Sequence, residues 1–90
     1  MRITYDPKKN AANIAKHGVS FEDAYHFDFA TSHIMLDTRR DYGEMRWRAT
    51  GFIRNRLHML VYVETADGIR AISLRKAHIK ERKIYEKEKA

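Results

Sequence analysis

Six arginines lie within and beside three closely spaced apolar runs: Arg46, Arg48, Arg54, Arg56, Arg70 and Arg75. A guanidinium keeps its charge at any working pH, and its planar fork grips two phosphate oxygens at once. With one or two carboxylates, a histidine and a tyrosine, such cations suffice for one reaction class, metal-free cleavage of RNA. There the 2′-hydroxyl attacks its own phosphate. The reaction needs a proton acceptor near the 2′-oxygen, cations against the pentacovalent phosphate and a proton donor for the 5′-oxygen. Arg75 is the leading candidate for the phosphate. As a cation beside a helix start it is electrostatically misplaced unless something anionic sits there. Arg46 is the next, its plainer role being a partner for Glu44. Glu44 serves either as a base or as the group that positions Arg46, and the second is favoured. Arg70 lies an odd number of residues from Arg75, so a regular strand puts the two on opposite faces. If Ile72 and Leu74 face the helices, Arg75 and Ser73 face outward and Arg70 reaches the edge near the turn. Arg46 and Arg48 share a phase. His17 falls at a helix C-terminus, where a cation is favourable in its own right.

Other chemistries lack their residues. There is no cysteine, hence no thiolate and no disulfide, which fits a reducing cytoplasm. The chain has no phosphate-cradling glycine loop and no zinc-ligand spacing. His17, His26, His33, His58 and His78 are not paired at metal-binding helical spacing, and Ser20, Ser32 and Ser73 lack a nucleophile-elbow context. Neither a metal nor a cofactor is expected. No apolar run approaches the ~18 residues of a membrane span, and the start has no signal-peptide core.

The net charge of +6 is unevenly spread. Residues 1–38 sum to −1, 39–56 to +4, 57–69 to −2 and 70–90 to +5. Positive charge therefore belongs to the sheet rim and the C-terminal segment, and this polarity suits an anionic partner, nucleic acid or an acidic protein. The plain alternative is a solvated surface.

These residues need a frame. Arg46–Arg54, Leu57–Thr65 and Ile69–Arg75 read as three strands of an antiparallel meander. The middle run is apolar on both phases and belongs at the centre of a sheet. Asn55-Arg56 and Asp67-Gly68 supply the turns, Asn55 taking the positive φ. Before the meander, Arg2–Tyr5 reads as a short strand. Asp6 and Pro7 open a helix that stops at His17-Gly18, with Ala11, Ile14 and Ala15 as its buried stripe and Asn10 and Asn13 outside. Ser20 caps a second helix with Phe21, Ala24 and Tyr25 as its apolar face. Thr31–Asp37 reads as a strand and residues 38–43 as a loop. Residues 76–89 form a charged helix with a thin stripe of Ala77, Ile84 and Tyr85, Tyr85 better suited to packing than to base stacking. The expectation is one α+β domain over residues 1–90: an antiparallel sheet with the two N-terminal helices packed on one face, plus a C-terminal helix.

Several ordered motifs resemble the BrnT family of toxins from bacterial type II toxin–antitoxin modules. Tyr5-Asp6, Lys8 or Lys9, Asn13 and then residues 16–24 (Lys-His-Gly-Val-Ser-Phe-Glu-Asp-Ala) are similar to its N-terminal signature. Tyr42-Gly43-Glu44 with Arg46-Trp47 and Gly51 is similar to its middle motif. Residues 70–77 (Arg-Ala-Ile-Ser-Leu-Arg-Lys-Ala), with Glu81 and Tyr85, are similar to its last. Tyr5 stands where tryptophan is common and Leu74 where alanine is common; neither removes a charge. The resemblance implies a RelE-like fold and a ribonuclease that arrests translation in the cytoplasm. It implies a BrnA-type antitoxin, in a complex of two chains of each, with operator DNA contacted only through the antitoxin. Carried onto this chain, the functional positions are Lys8, His17, Glu44, Arg46, Arg70 and Arg75. The alternative is a non-catalytic basic module that binds nucleic acid or docks an antitoxin.

Overall fold

The computed structural model describes residues 1–90. In chain order the elements are β1 (Arg2–Thr4), α1 (Pro7–His17), a 3₁₀ helix (Phe21–His26), β2 (His33–Leu36), β3 (Trp47–Ile53), β4 (Arg56–Thr65), β5 (Gly68–Lys76) and α2 (Ile79–Lys89). The strands form one sheet in the order β1-β5-β4-β3-β2. β2 to β5 pair antiparallel in succession, with β4 central and buried along most of its length.

The sheet is mixed rather than antiparallel, because β1 runs parallel to β5 with Arg2 opposite Gly68 and Thr4 opposite Arg70. Gly68 owes its identity to this pairing. Its φ is not positive, and a Cβ there would collide with the Arg2 backbone. The turn itself is Ala66-Asp67, and Asp67 also accepts the Arg2 N–H at 3.0 Å. At the other hairpin the left-handed residue is Arg54 (φ 56°), not Asn55.

The core lies between one sheet face and the N-terminal segment. Phe21, Ala24 and Phe27 pack against Ile3, Ala49, Leu60, Tyr62, Ile69 and Leu74. The second helix is a 3₁₀ turn, capped by Ser20 Oγ accepting the Glu22 N–H; its Tyr25 is half exposed and accepts the Ile3 N–H through its hydroxyl.

The buried stripe of α1 differs from the hydropathy reading. Ala11, Ile14 and Ala15 are exposed, whereas Asn13 is 8% exposed. The cause lies in the sheet. β1 ends opposite Arg70, which leaves the outer edge of β5 open beyond it. Asn13 fills the gap: its carboxamide donates to Leu74 O (2.7 Å) and Val19 O (2.8 Å) and accepts the Leu74 N–H (3.3 Å). One turn earlier, Asn10 Oδ1 accepts the Phe21 N–H. Backbone groups inside a fold must find partners, and here two amide side chains supply them.

The helices do not share one face. Arg48, Phe52 and Arg75 alternate along their strands with the core residues Ala49, Ile53 and Leu74. α2 packs on that second face, Tyr85 edge-on to Phe52 at 5.8 Å and bonded through its hydroxyl to Thr31 O. Only Tyr85 of its apolar residues is buried; Ile79 and Ile84 are exposed. Its N-cap is His78, so Lys76 stays in β5 and Ala77 extends the ladder by donating to Leu57 O. No helix is long and apolar enough to cross a membrane.

Candidate active site

The second face gathers the arginines through a bulge. Between Val61 and Tyr62 of β4 the register with β5 shifts, and Ile72 is the extra residue. Arg70 and Arg75 consequently pair with Val63 and Met59, which lie on one phase of β4. The two guanidiniums emerge on the same face despite their odd separation. Ile72 is taken up by the bulge and lines a hollow beside α1 instead of joining Leu74 in the core. Arg48, opposite Val61, shares this face, and Arg46, one residue before β3, continues the row.

Two carboxylates organise the face. Glu44 Oε2 accepts Arg46 Nε at 3.0 Å, and both its oxygens accept Arg70 Nη2 at 2.8 and 2.9 Å. Tyr42 lies under the Arg46 guanidinium, 4.3 Å from ring centre to Cζ. Gly43, at φ 70°, makes the turn that brings Glu44 into place. The hydrogen bonds from Arg70 and then Arg46 hold the Glu44 carboxyl below its usual pKa. That favours the anion that orients two guanidiniums and makes Glu44 a weak base.

The second carboxylate is Glu81, in the first turn of α2. It receives Arg75 as a bidentate pair (2.7 and 2.9 Å), the His78 N–H at 2.7 Å and Arg48 Nη2 at 3.5 Å. Burial opposes its ionisation, but Arg75 and the His78 N–H outweigh burial and hold its pKa at about 2. The anion that Arg75 calls for at a helix start is thus supplied by the helix itself. Arg48 Nε is buried without a partner.

The sequence-derived candidates separate into places. His17 lies where the end of α1 meets β5, within reach of the Arg75 charge. Burial lowers the His17 pKa, and Lys16, Arg75 and His78 lower it further, so the ring is neutral near pH 7. Beside it lies an open hollow of about 240 Å³, lined by Lys9, Ala12, Asn13, Lys16, His17, Ile72 and Ser73. Glu44, Arg46 and Arg70 form the other group, two rows along the sheet, roughly 13 Å away at strand spacing. Lys8 joins neither: it is exposed in the first turn of α1, and Lys9 and Lys16 line the hollow instead. Glu81 and Arg48 organise the Arg75 group; sequence reasoning named both without placing either among the functional positions. The signal for Glu81 was present, a carboxylate three residues after a cap and six after Arg75. No cluster of three or more His, Asp or Glu side chains could hold a metal ion.

The model of the family described as ribonuclease toxin, BrnT, of type II toxin-antitoxin system matches residues 5–81. The chain belongs to the BrnT family. Among solved structures, the Brucella abortus ribonuclease toxin BrnT, known at 1.1 Å resolution, superposes with a TM-score of 0.68 at 27% identity, covering 87% of this chain and 97% of that one. No curated protein sequence matches the chain. BrnT membership implies an antitoxin partner, and it places both arginine groups and His17 inside the matched span.

Proposed function

We propose that the chain is a metal-independent endoribonuclease toxin, a single RelE-like domain that arrests translation in the cytoplasm. The reading is supported by His17, its pKa lowered by burial and nearby cations, on an open, lysine-lined hollow, and by the carboxylate-clamped guanidinium of Arg75 whose charge acts on that ring. His17 takes the proton of the 2′-hydroxyl. That oxygen attacks phosphorus, Arg75 and Arg48 neutralise the charge that develops, and the 5′-oxygen leaves after taking up a proton. The products are a 2′,3′-cyclic phosphate and a 5′-hydroxyl. Arg46 and Arg70, set by Glu44, grip the backbone further along, and Lys8 adds a cation on the approach. Pre-oriented charges of this kind need no rearrangement when the transition state forms. A BrnA-type antitoxin neutralises the enzyme in a complex of two toxins and two antitoxins, and operator DNA is met only through that partner.

The test is expression without antitoxin, with RNA cleavage in chelator by the purified chain. Growth stops with wild type, and Arg75→Ala restores it. His17→Ala slows cleavage by about 10²–10⁴-fold, the usual worth of a positioned base. RNA bound in a salt-sensitive manner yet left intact by soluble wild type would overturn the enzymatic reading in favour of a binding module.

A further inference from the structure

A second cavity is larger than the hollow beside His17. It lies on the other side of Arg75, between α2 and the β3–β4 hairpin, and measures about 490 Å³. Phe52, Leu57, Ala77 and Tyr85 form its floor, and Arg56, Lys76 and Arg82 stand on its rim. Glu86 is the only acidic residue of the lining, so the cavity carries a net positive charge. All three rim cations are exposed and none is engaged in a salt bridge or a side-chain hydrogen bond within the chain. They differ in this from Arg46, Arg70 and Arg75, each of which already holds a carboxylate.

We infer that this cavity is a nucleotide subsite that holds single-stranded RNA next to the cleavage centre. The inference rests on the ribonuclease reading and deepens it. The volume falls within the range of small-molecule sites, about 300–1,000 Å³, and admits one nucleotide. An apolar, partly aromatic floor under unpaired cations is the chemistry that receives a base and its phosphates. The floor is rigid: Tyr85 is anchored to Thr31 O, Phe52 packs edge-on to its ring, and Ala77 is tied to Leu57 O. The rim is coupled to the centre by the chain itself. Lys76 follows Arg75, whose Nη1 donates to the Lys76 carbonyl, and Arg82 follows Glu81, the carboxylate that clamps Arg75. Lys76 and Arg82 thus set two free cations of the rim one residue from the Arg75–Glu81 pair. The cavity therefore sets how many nucleotides the enzyme needs, while the centre does the chemistry.

The probe is a fluorescein-labelled 2′-O-methyl RNA of about ten nucleotides, a length in the range that single-strand grooves cover. It lacks the free 2′-hydroxyl and cannot be cleaved, so binding is read by anisotropy apart from activity. Arg56→Ala/Arg82→Ala weakens binding by about tenfold or more and makes the log–log salt slope shallower by about 1.4, roughly 0.7 for each lost phosphate contact. Lys76→Ala acts in the same direction. Replacing the bases with abasic sites weakens wild-type binding by about tenfold for a stacked base. Unchanged melting temperatures show that these exposed positions leave the fold intact. Affinity and slope equal to wild type overturn the inference. The same result with loss of antitoxin capture assigns the cavity to an acidic protein segment instead. Cleavage of unmodified RNA is measured in parallel. A chain that cleaves normally but binds without regard to Arg56 and Arg82 keeps the nuclease and loses the subsite. A chain that binds through the cavity and cleaves nothing loses the nuclease and keeps the subsite.

Discussion

Replacing Glu81 with glutamine should remove a large part of the fold's stability at neutral pH and almost none in strong acid. The carboxyl is 12% exposed, Arg75 16% and Arg48 25%, so solvent screens the cluster weakly. Its pKa falls from the ordinary 4.5 to about 2 on folding. At about 1.4 kcal/mol per unit this amounts to roughly 3 kcal/mol, in line with the cost of removing one partner from a buried ion pair. The folded-state pKa is depressed, so the stabilisation is complete above pH 4.5 and is lost as pH falls through about 2. Against urea, with a slope of about 1–1.5 kcal/mol per molar, Glu81→Gln should lower the midpoint by about 2–3 M at pH 7. Near pH 2.5 the gap should shrink to about 1 kcal/mol. Asp37, nearly sealed and held well below the usual carboxylate range by Arg39, titrates in the same acid region, so the wild-type curve alone would mix the two. The difference between wild type and variant isolates Glu81. A gap that keeps its size from pH 7 to pH 2.5 would refute the reasoning, because it would then come from shape rather than charge.

Two further outcomes follow from the contacts. Asn13→Ala should cost about 3 kcal/mol in urea unfolding, since it strands the Leu74 N–H and the Leu74 and Val19 carbonyls out of water; a loss below about 1 kcal/mol would mean the open edge of β5 has another partner. By NMR, His17 should titrate below the ordinary 6.5 in wild type, and its midpoint should rise in Arg75→Ala as one of the neighbouring cations is removed; a midpoint indifferent to Arg75 would separate the two groups and weaken their pairing as a centre.

How far the sequence could be read depended on what kind of partner each residue had. Strand and turn signals around Leu57–Val63 are local, and β3, β4 and β5 start and end within a residue or two of their apolar runs. The caps at Asp6, Gly18 and Ser20 were equally legible, being contacts between near neighbours. The face of α1 was not. Asn13 answers a vacancy 61 residues away, and hydropathy assigns an amide to water by default. The bulge at Ile72 was hidden for a related reason: alternation counts residues, while the ladder inserts one. Simple alternation spread Arg70 and Arg75 over two faces that the bulge turns into one. The candidate positions included the carboxylate beside Arg46 and left out the one beside Arg75, which lies across a strand-to-helix junction. The parallel β1 escaped because nothing in three residues says which distant strand they join.

That last strand also bears on how the toxin comes into being. Residue 2 waits for residue 68, so the earliest strand to be synthesised joins the sheet late. At about 5–20 residues per second the ribosome needs about 3–13 s to make the intervening chain. For that interval Ile3 has no Ile69 beside it, and the guanidinium of Arg75 does not yet exist. A nascent chain stalled anywhere before β5 consequently lacks the strand that joins its two ends, and the clamp on Arg75 closes only once Glu81 of α2 has followed.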